Sequence, residues 1–388
     1  NLSPLPLTLD RIRMATLLPA VDPDGLAEFS VVFTDRSLNH MSKSFQGVMK
    51  DISRVLKKVY RASTAIVVPG GGTYSMEAVA RQFATNQKCL VIRNGWFSYR
   101  WTQIFEAGNI PAESIVLKAR PIDSEPQSPF APAPIDEVVA TIKAQRPDLV
   151  FAPHVETASG IILPDDYMRA IGKAVHDVGG LFVLDCIASG TIWVDMVDCA
   201  VDVLISAPQK GWSGSPCAGL VMLSEAALTQ LGSTKSSSFA CDLGKWHQIM
   251  QAYEGGGHAY HATMPTDGLR KLCDTMLETE QYGFKEVKSE QQALGDSVRA
   301  LLEGQGFKSV AAAGFQAPGV VVSYTQDPDI QSGKKFLAEG LQVAAGVPLQ
   351  CDEPADFMTF RIGLFGLDKL HNVSATVGRL EAAFKSLA

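Results

Sequence analysis

Lys210 stands in the segment Ala207-Pro208-Gln209-Lys210-Gly211-Trp212, directly after the apolar run 203–206. An amine held against apolar surroundings loses affinity for its proton and becomes a nucleophile toward carbonyls; on an open loop it is only a solvated cation. Asp185 closes another apolar run, 181–184. A carboxylate there is desolvated and needs a cationic or N–H partner. It reads either as the N-cap of the next segment or as the group that holds a protonated heterocycle. Gly70-Gly71-Gly72-Thr73 follows a third run, 64–68. Glycines there let backbone N–H groups approach an anion at a helix start, with Thr73 as a further donor, or simply make a tight turn. Arg361 interrupts a late apolar stretch, Phe360-Arg361-Ile362-Gly363, and needs an anion, either a substrate carboxylate or a structural acid. His154, in Pro153-His154-Val155-Glu156-Thr157, reads first as a hydrogen-bonded core histidine.

Nearly all of these groups stand just beyond a predicted strand. Residues 44–61 place Phe45, Val48, Met49, Ile52, Val55, Leu56 and Val59 at helical spacing. The runs 64–68, 88–93, 114–117, 149–153, 181–184, 203–206 and 219–223 predict strands. Helices are predicted from about Tyr74 and over 97–107, 135–144 and 166–178, with a Pro-rich surface loop at 121–134. Apolar strands alternating with helices imply a parallel sheet covered on both faces, whose ligands sit beyond the carboxyl ends of its strands. After residue 264 the pattern becomes one or two helices over 265–303, strands at 320–324 and 358–362, and a closing helix at 368–387. The fold class is therefore α/β: an N-terminal segment 1–40, a large domain 41–264 with a mostly parallel central sheet, and a smaller α+β domain 265–388.

The chain has 388 residues, 46% hydrophobic and 19% charged, which excludes a disordered chain and a charged coiled coil. A net charge of −7 provides no global attraction to nucleic acid or anionic lipid. No apolar run reaches the ~20 residues that span a bilayer. Seven widely spaced cysteines without a CxxC pair argue against a disulfide framework and a structural zinc, and no metal is expected. Residues 1–9 are Pro-rich and show no secretory pattern. Together these predict a soluble, cytoplasmic protein with no nucleic-acid or membrane partner.

A glycine turn, a strand-end acid, a strand-end lysine and a late arginine, in that order, are what pyridoxal phosphate chemistry needs. The chain here resembles the fold-type I pyridoxal-phosphate enzymes, and among them the class V aminotransferases of the alanine–glyoxylate and serine–pyruvate type. The residues that carry the resemblance are Gly70-Gly71-Gly72-Thr73 with Met76-Glu77-Ala78, Asn94-Gly95, and Glu156-Thr157 with Ser159-Gly160. It continues through Asp185-Cys186-Ile187-Ala188-Ser189, Ser206 with Gln209-Lys210, Tyr260-His261 with Thr263-Met264-Pro265, and Phe360-Arg361-Ile362-Gly363-Leu364. The resemblance implies Lys210 as the Schiff-base lysine and proton shuttle, and Asp185 as the partner of the ring nitrogen. Phe97 would stack on the ring, with Trp96 as the fallback, and Ile187 would pack on its other face. Gly71, Gly72, Thr73 and Gln209 would hold the phosphate, Thr157 or Ala158 would lie by the ring hydroxyl, and Arg361 would take the substrate carboxylate. Tyr260 and Thr263 would reach the phosphate of a partner subunit in a homodimer.

The implied activity is ping-pong transfer of an amino group from alanine or serine to glyoxylate or pyruvate. A 2-aminoethylphosphonate transaminase is a close variant. A cysteine desulfurase or lyase would use Cys351, which lies shortly before Arg361. A ligand-binding homologue without catalysis would have no need of Asp185, Lys210 and Arg361 together. The chain departs from the family in three places. Thr16-Leu17-Leu18-Pro19 and Phe33-Thr34 stand where a Gly-Pro-rich segment is usual, Pro69 and Gly71 stand where serines are common, and Ala158 replaces a hydroxyl residue.

Overall fold

The structure is a computed structural model that describes residues 21–22 and 25–387. The expectations for residues 1–9 and for Thr16-Leu17-Leu18-Pro19 lie outside the described residues. The chain runs α1 (Lys43–Tyr60), β1 (Thr64–Pro69), α2 (Gly72–Phe83), β2 (Lys88–Arg93), α3 (Trp96–Gly108), β3 (Glu113–Lys118), β4 (Arg120–Pro121), β5 (Phe130–Ala131) and α4 (Ile135–Gln145). It continues with β6 (Leu149–Pro153), β7 (Val155–Glu156), β8 (Ile161–Ile162), α5 (Asp165–Asp177), β9 (Leu181–Asp185), β10 (Val203–Ser206), β11 (Ala218–Leu223), α6 (Glu225–Ser233) and α7 (Leu243–Glu254). The last part is α8 (Thr266–Tyr282), α9 (Phe284–Gly304), β12 (Val320–Tyr324), α10 (Pro328–Gln331), α11 (Lys334–Ala338), β13 (Ala344–Ala345), β14 (Thr359–Gly363), α12 (Leu367–Leu370) and α13 (Val373–Leu387).

Seven strands form the central sheet in the order β1-β11-β10-β9-β6-β2-β3. β11 runs antiparallel to both of its neighbours, β1 and β10, and every other pair is parallel. β1 and β10 therefore point the same way as β9, β6 and β2, and their carboxyl ends share one edge. The central strands read as unbroken apolar runs because both faces are covered: Leu149 to Ala152, Phe182 to Leu184 and Val203 to Ile205 are all buried. α1 shows the complementary pattern. Phe45, Met49, Ile52 and Leu56 line one stripe that faces the sheet, while Ser42 caps the helix by accepting the Phe45 N–H at 3.1 Å.

Beyond residue 264, α8 still packs on α1, and its Leu269, Leu272 and Met276 belong to the large core. A separate core gathers Val287, Leu294 and Val298 of α9 with Val321 of β12 and Phe360 and Ile362 of β14. There a three-stranded antiparallel sheet has the order β12-β14-β13.

Several local expectations shift. The helix after the glycine turn opens at Gly72 rather than near Tyr74, so Gly72 and Thr73 lie in its first turn. The 121–134 loop contains β5, which pairs with β4. The 265–303 region is two helices, broken at Gly283, whose φ of 118° lies where side-chain-bearing residues are strained. The closing helix is two pieces, α12 and α13. Asp185 is the last residue of β9 and no helix follows it, so the N-cap reading falls.

Candidate active site

The carboxyl edge of the sheet gathers segments far apart in sequence around a cavity of ≈ 200 Å³. β1 delivers Gly72 and Thr73, β6 leads through the short β7 to Thr157, β9 ends in Asp185 and leads to Ile187, and β10 leads to Gln209 and Lys210; Phe97 and Arg100 enter from α3. Larger hollows exist, one of ≈ 830 Å³ along the 21–43 segment and one of ≈ 590 Å³ beside the 121–128 loop, but neither is lined by any of these groups.

Asp185 is buried, and its carboxylate accepts one hydrogen bond, from the Ile187 N–H at 2.9 Å. Burial pushes its pKa up to about 7, with Ile187, Arg100 and Lys210 pulling the other way. No side-chain cation stands within ion-pair distance among the described residues. Lys210 is the mirror case. Its Nζ has no carboxylate or hydrogen-bond partner among the described residues and lies 5.0 Å from the centre of the Phe365 ring. Burial, and then the Arg361 guanidinium, lower its proton affinity, with Asp185 opposing. The loop that holds it is pinned where Gly211 meets the backbone of Gly190, a contact that leaves no room for a side chain.

The glycine turn has two distinct faces. Gly70 has φ of 120°, and a Cβ there would strike the Tyr74 ring at 2.6 Å. A Cβ on Gly72 would meet Ile187 Cδ1 at 2.6 Å, whereas one on Gly71 would meet nothing within 4 Å. The turn is thus closed against Ile187 and open at Gly71. Gln209 is exposed at the cavity rim, and Thr157 is buried in its wall.

Arg361 sits on β14, half-buried, with Nε donating to the Ala345 carbonyl of β13 at 2.8 Å. It has no acidic partner within ion-pair distance among the described residues, and its guanidinium lies 5.6 Å from the centre of the Phe97 ring. Trp96 turns away to Tyr99, at 5.8 Å, and does not line the cavity. Tyr260 is 55% exposed, its hydroxyl 3.2 Å from Thr263 Oγ1, and neither residue lines the cavity of its own chain.

Arg100 escaped the sequence reading, and Glu156 was named there without a role of its own. Arg100 lines the cavity and donates to Thr73 Oγ1 at 3.0 Å. It lies one helical turn beyond Phe97, a spacing that could have flagged it. Glu156 is fully buried and accepts four hydrogen bonds, from the N–H groups of Phe97, Ser98 and Ala158 at 3.2, 2.8 and 3.0 Å and from the Ser98 hydroxyl at 2.7 Å. It caps α3 from another strand, where the N-cap residue Gly95 has no side chain. A Cβ on Gly95 would strike Glu156 Cγ at 2.7 Å.

His154 is a core residue. Its Nδ1 lies 2.7 Å from Ser189 Oγ, and burial lowers its pKa to about 3, so it stays neutral. Cys351 is buried, its Sγ 3.4 Å from the Arg93 carbonyl, and burial pushes the thiol up to about 12. It does not line the cavity, so the desulfurase alternative loses its nucleophile. All seven cysteines are free.

Among curated proteins, the chain is 26% identical over 334 residues to the 2-aminoethylphosphonate–pyruvate transaminase of Vibrio vulnificus, covering 82% of this chain and 83% of that one. It is 25% identical over 339 residues to the alanine–glyoxylate aminotransferase of Callithrix jacchus, covering 85% and 77%. Among solved structures, an alanine–glyoxylate aminotransferase from Nostoc sp. superposes with a TM-score of 0.76 at 21% identity, over 90% of this chain and 88% of that one. No family model matches. The fold is that of the fold-type I pyridoxal-phosphate transferases. Within that fold the chain is a homologue of the class V aminotransferases.

That homology implies pyridoxal phosphate, and the residues present fit it. An uncompensated buried carboxylate suits a protonated ring nitrogen, an uncompensated lysine suits the aldehyde, and the turn left open at Gly71 suits the phosphate.

Proposed function

We propose that the protein transfers the amino group of a small amino acid, alanine or serine, to glyoxylate or pyruvate in two half-reactions that share one site. The observation that carries this reading is the pair of unmatched charges, Asp185 and Lys210, walling one cavity with the glycine turn. Pyridoxal phosphate, when bound, supplies a carbonyl for the donor amine and a ring that draws electrons from the donor's α-carbon. Asp185 holds the proton on the ring nitrogen. Lys210 Nζ, kept free of its proton by burial and by Arg361, takes the proton from the α-carbon and returns it in the transfer. Gly71, Gly72, Thr73 and Gln209 hold the phosphate, Phe97 and Ile187 confine the ring, and Thr157 lies by its hydroxyl. Arg361, free of any acid, grips each substrate carboxylate in turn.

Tyr260 and Thr263 complete the partner's site in a homodimer. Their exposure, with that of Tyr74 and Phe239, supports an interface there. No helix among the described residues is long and apolar enough to cross a membrane, and the free thiols suit the cytoplasm. A second reading takes 2-aminoethylphosphonate as donor. The two guanidiniums of Arg361 and Arg100 flanking Phe97 favour an anionic group of higher charge than a carboxylate.

The test is to add L-alanine to the purified, cofactor-loaded protein without a keto acid. One equivalent of pyruvate per site, with loss of the visible cofactor band, is expected. Borohydride reduction and peptide mapping should place the cofactor on Lys210. A loaded enzyme that ignores alanine and serine but turns over 2-aminoethylphosphonate selects the second reading. Absence of any cofactor band refutes both.

A further inference from the structure

Transfer from alanine or serine gives the Arg100 cation no role. Arg100 projects from the second turn of α3 into the wall of the cavity, together with Thr73, Asp185 and Lys210. Its guanidinium lies 5.3 Å from the centre of the Phe97 ring. One Nη1–H goes to Thr73 Oγ1. Among the described residues it makes no other side-chain hydrogen bond and no ion pair, so most of its five N–H donors are unspent. The Thr73 hydroxyl accepts from Arg100, so its own hydrogen is free to point elsewhere. The two side chains therefore form a fixed pair of donors beside the first turn of α2, next to the open space over Gly71.

A guanidinium held on an aromatic face and tied at one corner presents its remaining edge in a fixed plane, which matches two oxygens of a tetrahedral anion. Packing on Phe97 alone does not account for a guanidinium that also lines the cavity and is tied to the Thr73 hydroxyl. Arg100 eases ionisation of Asp185 only from a distance and makes no ion pair with it, because that carboxylate receives only the Ile187 N–H.

We propose that Arg100, tied to Thr73, is an anion-binding residue of this cavity that takes a phosphate or phosphonate group. This rests on the aminotransferase reading. The group has two sources of one chemistry: the phosphate ester of the cofactor, or the phosphonate of a donor such as 2-aminoethylphosphonate. The sequence motifs assign Arg100 to neither.

The experiment titrates the apo-protein with pyridoxal phosphate and, in parallel, with unphosphorylated pyridoxal, following tryptophan fluorescence. Wild type is compared with Arg100→Met, Arg100→Lys and Thr73→Val. Losing charge-assisted hydrogen bonds to a phosphate should weaken pyridoxal phosphate about 10- to 100-fold in Arg100→Met, with Arg100→Lys between it and wild type and pyridoxal unchanged. That outcome assigns the cofactor phosphate. If cofactor affinity holds but KM for 2-aminoethylphosphonate rises at least about tenfold while KM for alanine does not, Arg100 serves the donor. Equal loss for pyridoxal and its phosphate, or no change in any of these, overturns the proposal. Should both Arg100 variants fold poorly, Arg100→Gln in the same titrations removes the charge and keeps N–H donors, and unchanged affinity and KM values in it overturn the proposal; Thr73→Val reports only the hydroxyl's own share. A wild-type protein that binds no pyridoxal phosphate refutes the aminotransferase reading instead.

Discussion

Replacing Glu156 by Gln changes one atom and should loosen the helix start that carries Phe97. Oε1 accepts the Phe97 and Ala158 N–H groups, and Oε2 accepts the Ser98 N–H and hydroxyl. All four partners are donors, so the carboxylate must accept throughout, and we take it as ionised although burial pushes its pKa up. An amide can keep only one of the two oxygens. With its nitrogen on the Oε1 side, two buried N–H groups face a donor. With its nitrogen on the Oε2 side, the Ser98 N–H is orphaned. The Ser98 hydroxyl would then have to accept a third bond, since it already accepts the Asn94 and Gly95 N–H groups. One to two orphaned N–H groups, at about 1–3 kcal/mol each, place the cost at roughly 2–3 kcal/mol, with some relief because the Glu156 charge no longer opposes ionisation of Asp185. The assay is amide hydrogen exchange. Protection of Phe97 and Ser98 should fall by about 30- to 150-fold, while strand amides such as Val183 keep theirs. Unchanged protection at Phe97 and Ser98 in Glu156→Gln would refute the claim that this carboxylate holds α3.

Other substitutions test the site group by group. The Asp185 carboxyl titrates at about 7 in the folded apo-protein and near 3.9 when unfolded, so its contribution is fully present below pH ~4 and is lost as pH rises to 7. Apo Asp185→Asn should lack this loss in denaturation measured across that window; an identical pH profile would show that Asp185 is not desolvated. Arg361→Ala should cut kcat/KM for carboxylate substrates by at least about 100-fold, with pyridoxal phosphate affinity little changed, and steady-state kinetics beside a binding titration would expose any other division. Gly72→Ala forces a Cβ onto Ile187 and should weaken cofactor binding, a loss that Ile187→Ala in the same chain should partly restore. Cys351→Ser should leave transaminase activity within about twofold, and a collapse of turnover with the fold intact would reinstate the thiol as a participant.

Much of this architecture is written locally. A run such as Leu181-Phe182-Val183-Leu184 is apolar at every position because both of its sides are covered, and that pattern can be read without knowing which strands cover it. Gly70 is glycine because of its own backbone angle, and the strand–turn–helix order around it follows from short-range chemistry. That is why Lys210, Asp185, Gly72 and Arg361 could be singled out: each is a residue type at odds with the element that carries it. Pairing was not legible in the same way. The reversal of β11 depends on which strands meet, and no single run records its own direction. Arg361 gains its orientation from Ala345 on β13, a two-residue strand without any sequence pattern. Cys351 looked like a loop nucleophile until burial beside Arg93 removed it.

By itself, then, the sequence determined the order of elements, the strand-end positions of the charged groups and their chemical types, because those depend on periodicity and on the backbone preferences of a few residues. Only the tertiary structure decided which of those groups lack a partner, that Glu156 caps a helix begun sixty residues earlier, and that Arg100 shares a cavity with Thr73. Charge balance and burial are properties of the assembled surroundings, and no stretch of chain carries them alone.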